Sequence, residues 1–208
     1  MLRLSSRLAV VGVGAKVVGL FSHMEPLSDL PSRCQSPATL DSKQLIGCGM
    51  RRKLFFDVYL AALYTDESTL RHLQTRLTDG TTAVSAAILN EQGKANATIL
   101  LSFKRNVSKT QFIDAILQAY DGFTSTEVMQ LRQYFESVVE DDLKVGDRVE
   151  ISWLDKGGFF MRKNSGQGLC FDASREAYTR LLEVYLDNKR SVAPELITST
   201  KNTALHRK

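Results

Sequence analysis

Seven short segments rich in β-branched and aromatic residues constrain the fold of this chain more than any other feature. Most of these segments have a neighbour within a few residues, a spacing typical of strands joined by tight turns. Such turns join antiparallel strands, since parallel strands need a longer crossover. The sequence therefore predicts a largely antiparallel sheet. The predicted strands lie near residues 43–52, 55–65, 82–89, 96–105, 147–154, 157–163 and 167–171.

The alternation of apolar and polar residues is clearest after residue 147, where Val149, Ile151 and Trp153 occupy every second position. Polar residues stand between them, so one side of this strand is predicted to face the core and the other to face water. Residues 155–158 then have the composition of a turn and lead into an apolar run that begins at Phe159. This pattern predicts a β-hairpin.

Helices are indicated by capping motifs that precede apolar residues at helical spacing. Ser108-x-x-Gln111 opens one such segment, Thr124-x-x-Glu127 opens a second, and a third begins near Ser174. A shorter helix is predicted over residues 67–77. From this order of strands and helices we predict an α+β domain, in which helices pack on one face of an antiparallel sheet.

The two ends of the chain differ in composition from its middle. Residues 1–22 contain basic residues and serines but no acid, which is typical of an organelle transit peptide. The apolar run over residues 8–21 holds about 14 residues, fewer than the roughly 20 that span a bilayer. We expect a mitochondrial location, with a plastid as the alternative. The predicted organisation is a targeting leader or short membrane anchor over 1–22, a linker over 23–38, a folded domain over 39–197 and a disordered tail over 198–208.

Charge and cysteine usage exclude several classes of function. The net charge is +4 over 208 residues, but the basic residues are spread along the chain without interleaved aromatic residues, so we do not expect nucleic-acid binding. Cys34, Cys48 and Cys170 lie far apart, and no two of them have the spacing of metal ligands or of a redox pair. Neither a metal nor a cofactor is expected.

A basic cluster over residues 51–53 points to a binding site. It stands between a Gly-x-Gly pattern, Gly47 and Gly49, and an apolar segment over residues 55–64. An arginine beside buried apolar surface is costly to desolvate unless an anion pairs with it. A guanidinium of this cluster is therefore a candidate to hold an anionic group, which can belong to a ligand, at the edge of an apolar pocket. The two glycines are predicted to form a bulge or turn that directs Arg51.

This stretch resembles the chalcone isomerase family, in particular its chalcone-isomerase-like branch, in which Gly-x-Gly-x-Arg precedes an apolar strand. The resemblance spans about residues 38–197 and implies an open-faced sandwich, with helices on one face of an antiparallel sheet. Further segments similar to the family are residues 101–108, 145–153, 157–158, 180–187 and 193–196.

The resemblance also implies roles for two residues. The arginine that stabilises the substrate oxyanion in catalytic members falls on Arg51. A threonine on the next strand falls on Tyr59, and a tyrosine is what the fatty-acid-binding branch has there. An arginine and a tyrosine hydroxyl suit a carboxylate. Val107 and Asp114 stand where catalytic members have a tyrosine and an asparagine, so the sequence departs from the catalytic pattern there.

Geometry restricts a shared site for Arg51 and Tyr59. On one continuous strand, residues eight positions apart are separated by about 26 Å. They can meet only if the chain reverses between them, and no Gly or Pro between Arg52 and Val58 favours a tight turn. The alternatives are a surface ion pair of Arg51, for example with Asp57, and a structural role for Tyr59 in the core.

Three functional hypotheses follow. In the first, the protein binds a small hydrophobic carboxylate such as a fatty acid through Arg51 and Tyr59, with possible membrane association through residues 1–22. In the second, the same residues serve an intramolecular lyase (isomerase) that cyclises an enone. In the third, the protein is a non-catalytic or haem-associated organellar scaffold, for which the sequence offers no axial ligand.

Overall fold

The structure, a computed structural model, describes residues 33–35, 42–81, 83–90, 97–154 and 158–207, all within the compact unit Ser32–Lys208. The predicted leader over residues 1–22 and most of the predicted linker over 23–38 lie outside these residues. So do residues 155–157 of the predicted hairpin turn.

One antiparallel sheet forms the centre of the described fold, and its strands follow one another in the order of the sequence. Each inner strand therefore pairs with the strand before it and with the strand after it, and β1 and β7 are the first and last strands of the sheet. The strands are β1 (Arg33–Gln35), β2 (Ser42–Lys53), β3 (Phe56–Thr65), β4 (Ala97–Phe103), β5 (Arg148–Trp153), β6 (Phe159–Lys163) and β7 (Leu169–Phe171). The helices are α1 (Glu67–Thr78), α2 (Ala86–Asn90), α3 (Lys109–Leu117), α4 (Ser125–Val138), α5 (Arg175–Leu186) and α6 (Pro194–His206), with a 3-10 turn at Gln118–Tyr120.

The hydrophobic core lies between one face of this sheet and the helices. Ala61 and Leu63 on β3 share that face with Leu101 on β4, and all are fully buried together with Phe135 of α4. Trp153, at the end of the alternating segment, is also fully buried. The prediction that the polar residues of this strand face water is wrong, because Glu150 and Ser152 are buried and bond to Arg162 and Thr98 on the neighbouring strands. The predicted α+β architecture with helices on one face of an antiparallel sheet is confirmed.

The predicted capping motifs open the helices as expected. Thr124 accepts a hydrogen bond from the backbone N–H of Glu127 at 3.3 Å, and the Glu127 carboxylate accepts from the backbone N–H of Thr124 at 3.0 Å. Ser108 and Ser174 each accept from the backbone N–H three residues later. These bonds satisfy N–H groups that have no partner within the helix.

Two local predictions are wrong. The segment over residues 82–89 was predicted as a strand, but Ala86–Asn90 forms helix α2. Its alanines favour a helix, and Ser85 accepts a hydrogen bond from the backbone N–H of Ile88 at 3.4 Å. The linker predicted over 23–38 contains strand β1, which pairs with the start of β2 and extends the sheet.

The disordered tail predicted over residues 198–208 is also wrong, because α6 continues to His206. Helix α6 packs along β2, and its Ser199 and Thr200 are buried. The Ser199 hydroxyl accepts a hydrogen bond from the backbone N–H of Cys48 at 3.1 Å. The Thr200 hydroxyl donates instead to the backbone carbonyl of Leu196 at 2.8 Å, so the buried polar side chains of this helix bond to protein groups rather than to water.

The Gly-x-Gly pattern of β2 makes this packing possible. A Cβ atom on Gly47 would lie 2.0 Å from the Thr200 hydroxyl, and one on Gly49 would lie 2.2 Å from the backbone nitrogen of Leu196. The two glycines therefore serve a close approach of α6 to the strand. The pairing of β2 with β3 does shift between Leu45 and Gly47, so a bulge accompanies the pattern.

Among the residues that the structure describes, none of the helices combines the length and the apolar character needed to cross a membrane.

Candidate functional site

The hairpin of β2 and β3 sets Arg51 directly opposite Tyr59. Lys53 and Phe56 form the last pair of this ladder, and the chain reverses at Leu54 and Phe55. Leu54 has a φ of 56°, the left-handed conformation that glycine usually takes. The chain therefore reverses without Gly or Pro, and Arg51 and Tyr59 become neighbours despite their separation in sequence.

Arg51 differs from Arg52 in its partners. The Arg52 guanidinium forms ion pairs with Asp57 at 2.9 Å and with Glu195 of α6 at 2.6 Å. Arg51 is half-buried and has no ion pair within the described part of the chain. The alternative prediction of an Arg51–Asp57 ion pair is therefore wrong, because Arg52 takes that partner. An arginine without a carboxylate at the edge of the core is a suitable site for an external anion.

The hydroxyl of Tyr59 has a hydrogen-bond partner on a helix. Its hydroxyl is hydrogen-bonded to that of Tyr185 on α5, and the charge of Arg51 acts on both groups. Burial raises the pKa of Tyr59 and of Tyr185 above the ordinary tyrosine value, in spite of the opposite effect of Arg51. Both side chains are therefore neutral hydroxyls at physiological pH and can donate hydrogen bonds.

A third tyrosine completes this group. Tyr120, at the end of the 3-10 turn, is 1% exposed, and its hydroxyl has no hydrogen-bond partner among the described residues. Helix α5, which carries Tyr185, packs against the 3-10 turn that carries Tyr120. Burial raises the pKa of Tyr120 well above its ordinary value, so this hydroxyl too stays protonated. A buried hydroxyl without a partner is costly and calls for an explanation.

Aromatic rings line the apolar side of the group. The ring of Tyr59 packs on Phe103 of β4 with a centroid distance of 5.3 Å, and Phe103 packs edge-on against Phe112 of α3 at 5.6 Å. We call Arg51, Tyr59, Tyr120 and Tyr185 the arginine–tyrosine cluster. It combines a half-buried cation, three buried hydroxyls and the adjoining aromatic rings of Phe103 and Phe112.

The cluster is closely packed in this structure. Tyr59 is 9% exposed, and Tyr120 and Tyr185 are each 1% exposed. A cleft of about 690 Å³ lies elsewhere and is lined by charged residues such as Lys109, Asp142 and Lys163. A ligand that passes Arg51 must therefore displace side chains between the sheet and the helices.

Val107 and Asp114 lie apart from this chemistry. The Asp114 carboxylate is at the surface, where it forms an ion pair with Arg132 at 2.7 Å. Val107 forms an isolated backbone bridge with Leu143. Asp114 thus does not oppose an anion at Arg51, and neither residue supplies a hydroxyl or amide to the cluster.

The sequence indicated two residues of the cluster and missed the other two. Tyr120 and Tyr185 each fall on the apolar side of a predicted helix, where a tyrosine is usually a core residue. The only signal for them is that a tyrosine brings a hydroxyl into a position that Phe or Leu could fill.

A model of the chalcone isomerase-like family matches residues 35–192 of the chain. Among solved structures, the crystal structure of a fatty-acid-binding protein of Arabidopsis thaliana is similar, with a TM-score of 0.56 and 15% sequence identity. The similarity covers 83% of this chain and 97% of that chain, and at this identity it concerns the fold. No curated protein sequence matches the chain.

Proposed function

The chain belongs to the chalcone isomerase-like family, and from this premise we propose that it binds a fatty acid or a similar hydrophobic carboxylate at the arginine–tyrosine cluster. Arg51 would pair with the carboxylate, and Tyr59 would donate a hydrogen bond to it. The Arabidopsis structural neighbour is a fatty-acid-binding protein, which supports this ligand class.

The observation that carries the proposal is the contrast between the two adjacent arginines. Arg52 has two carboxylate partners of its own, whereas Arg51 has none within the described residues and faces tyrosine hydroxyls. A carboxylate would restore the missing ion pair, and the planar guanidinium can bind it through two parallel hydrogen bonds. The neutral tyrosines add donors without adding an opposing charge.

The hydrocarbon tail would extend from Arg51 towards Phe103 and Phe112, between the sheet and helix α3. Because this region is closely packed, binding would separate side chains that now touch, beginning with the Tyr59–Tyr185 hydrogen bond. We expect the free protein to be the closed state and the ligand to favour an opened one. The affinity would be reduced by the fraction of molecules that are closed.

Native mass spectrometry of the full chain, with lipid extraction and titration of a saturated fatty acid, tests the proposal. Arg51→Gln should weaken binding by about thirtyfold, because a hydrogen-bonded charged contact contributes about 2 kcal/mol. Arg52→Gln is the matched control, since it removes the neighbouring arginine that already has partners. Equal affinity of Arg51→Gln and the unaltered protein would contradict the proposal, as would equal losses in the two variants.

An intramolecular lyase is the second candidate, because the same arginine could stabilise the oxyanion of a cyclising enone. Arg51-dependent turnover of a chalcone would favour this activity. The residues at positions 107 and 114 offer no help to such a substrate, so we rank this activity below binding.

We also propose that residues 1–22 direct the protein to mitochondria. A fluorescent fusion to the full chain, compared with one that lacks residues 1–22, tests this. Plastid localisation in a plant cell, or identical distributions of the two fusions, would count against it.

A further inference from the structure

We propose that the tip of the β2–β3 hairpin docks on the surface of an anionic lipid bilayer. We define the hairpin tip as Leu54, Phe55 and Phe56. Docking of the hairpin tip does not depend on the ligand at Arg51 and does not involve the predicted leader.

The hairpin tip is the most exposed large apolar surface among the described residues. Leu54 is 82% exposed, Phe55 is 96% exposed and Phe56 is 58% exposed, and the three are consecutive. Other exposed large apolar residues, such as Met129 and Leu205, stand singly on helices. Single exposed apolar residues are ordinary, whereas a contiguous group marks an interaction site.

Positive charges flank the tip. Lys53 precedes it and is exposed, and the Arg105 guanidinium lies over the ring of Phe56 at 4.9 Å from the centroid. The acidic residue nearest in sequence, Asp57, is already paired with Arg52. Basic side chains beside aromatic and aliphatic ones suit an anionic bilayer, because the apolar groups enter the interface while the cations meet lipid phosphates.

The backbone conformation of the turn supports an intermolecular role for Leu54. Leu54 occupies the left-handed region at a φ of 56°, where glycine or asparagine would fit at a lower conformational cost. A strained residue whose side chain is 82% exposed is not explained by the stability of the turn. It is explained if the side chain has a partner outside the protein.

The position of the tip also suits a lipid partner. Leu54 follows Arg51 by three residues, which is about 10 Å along the strand. A bilayer that holds the tip would therefore face the rim of the arginine–tyrosine cluster.

A tryptophan at the tip tests the proposal in the full chain. The natural Trp153 is fully buried in β5, so the unaltered protein supplies the background emission. Phe55→Trp should shift its fluorescence to shorter wavelength with vesicles of phosphatidylcholine and phosphatidylserine, and lipids brominated on the acyl chain should quench it. Met129→Trp is the matched control, because Met129 is 54% exposed on helix α4. Its fluorescence should not respond to vesicles.

The contribution of the basic residues is tested in the Phe55→Trp variant. Lys53→Gln and Arg105→Gln should each weaken vesicle binding about fivefold, as expected for one basic residue at an anionic surface. An equal response to vesicles of phosphatidylcholine alone would overturn the proposed selectivity for anionic lipid. A tip probe that stays unshifted while the chain sediments with vesicles would assign binding to another segment. A shift that depends on protein concentration without lipid would assign the tip to self-association, and either result would overturn the proposal.

Discussion

Arg51 and Tyr59 face each other across neighbouring strands, and the next residue along β2, Arg52, already has both of its carboxylate partners. Adjacent arginines thus have different environments. Arg52 stabilises the contact between the hairpin and α6, whereas Arg51 remains available at the edge of the core.

Tyr120→Phe should change stability and ligand affinity in opposite directions. The variant removes a buried hydroxyl that has no partner among the described residues, so the free energy of unfolding should rise by about 1 kcal/mol. Fatty-acid affinity should fall at the same time if the hydroxyl contacts the bound carboxylate. Chemical denaturation and ligand titration of the same preparation measure both effects.

Tyr134→Phe is the control for that experiment. The Tyr134 hydroxyl donates to the backbone carbonyl of Leu169 at 2.9 Å, so its removal should lower stability by about 1 kcal/mol and leave affinity unchanged. If Tyr120→Phe destabilises as Tyr134→Phe does, the Tyr120 hydroxyl has a structural partner and our interpretation of it is wrong.

Gly49→Ala should destabilise the domain severely. The added Cβ would lie 2.2 Å from the backbone nitrogen of Leu196, and backbone cannot move aside as a flexible side chain can. We expect a loss of about 3 kcal/mol, at the upper end of the cost of overpacking. Thermal unfolding followed by circular dichroism measures it.

Cys48→Ala, one residue earlier on β2, is the matched control and should cost only about 1 kcal/mol, since it shrinks a buried side chain. A Gly49→Ala variant as stable as Cys48→Ala would show that α6 does not approach the strand as closely as described.

Alkaline pH should unfold the protein cooperatively. Burial raises the pKa of Tyr59, Tyr120, Tyr134 and Tyr185 above the ordinary value near 10. Below that value both the folded and the unfolded chain keep these protons, so stability is unaffected. Above it the unfolded chain releases them first, and each tyrosine then lowers the free energy of unfolding by about 1.4 kcal/mol per pH unit until its folded-state pKa is reached.

Ultraviolet absorbance of tyrosinate, recorded beside circular dichroism, follows this titration. The buried tyrosines should ionise only as secondary structure is lost. Gradual ionisation of all tyrosines near pH 10 in a folded chain would contradict the burial that we describe.

Leu54→Asn should stabilise the hairpin by about 1 kcal/mol, because asparagine adopts the left-handed conformation at a lower cost than leucine. If the hairpin tip docks on lipid, the same variant should bind anionic vesicles less well. Thermal unfolding and vesicle sedimentation provide the two measurements. A loss of stability would mean that the Leu54 side chain makes contacts that its exposure does not suggest.

Much of the sheet could be predicted because alternation records which side chains face the core. β5 illustrates this in part: Val149, Ile151 and Trp153 are buried as their spacing predicts, whereas Glu150 and Ser152, predicted to face water, are buried as well. The helix that starts after Thr124 was equally clear, because its capping motif is local and both of its hydrogen bonds form.

Elements whose stability depends on distant partners could not be predicted in this way. Helix α6 has a polar composition, and its buried Ser199 and Thr200 become intelligible only once β2 lies beside them. The glycines that signal this contact are some 150 residues earlier, where they suggested a turn.

The sequence likewise indicated only part of the candidate site. Arg51 and Tyr59 were singled out by resemblance to a family, and the hairpin register brings them together. Tyr120 and Tyr185 belong to a 3-10 turn and a helix, and nothing local relates them to Arg51. Their proximity arises only from the packing of helices on the sheet.

The sequential strand order has a consequence for the path of folding. Four of the six neighbouring strand pairs are joined by connections of at most six residues and need only inexpensive loop closures, whereas helices stand between β3 and β4 and between β4 and β5. The contact between Cys48 and Ser199 instead closes a span of 151 residues. We therefore expect the docking of α6 on the glycines of β2 to be a late kinetic step, with a partly assembled meander forming before it.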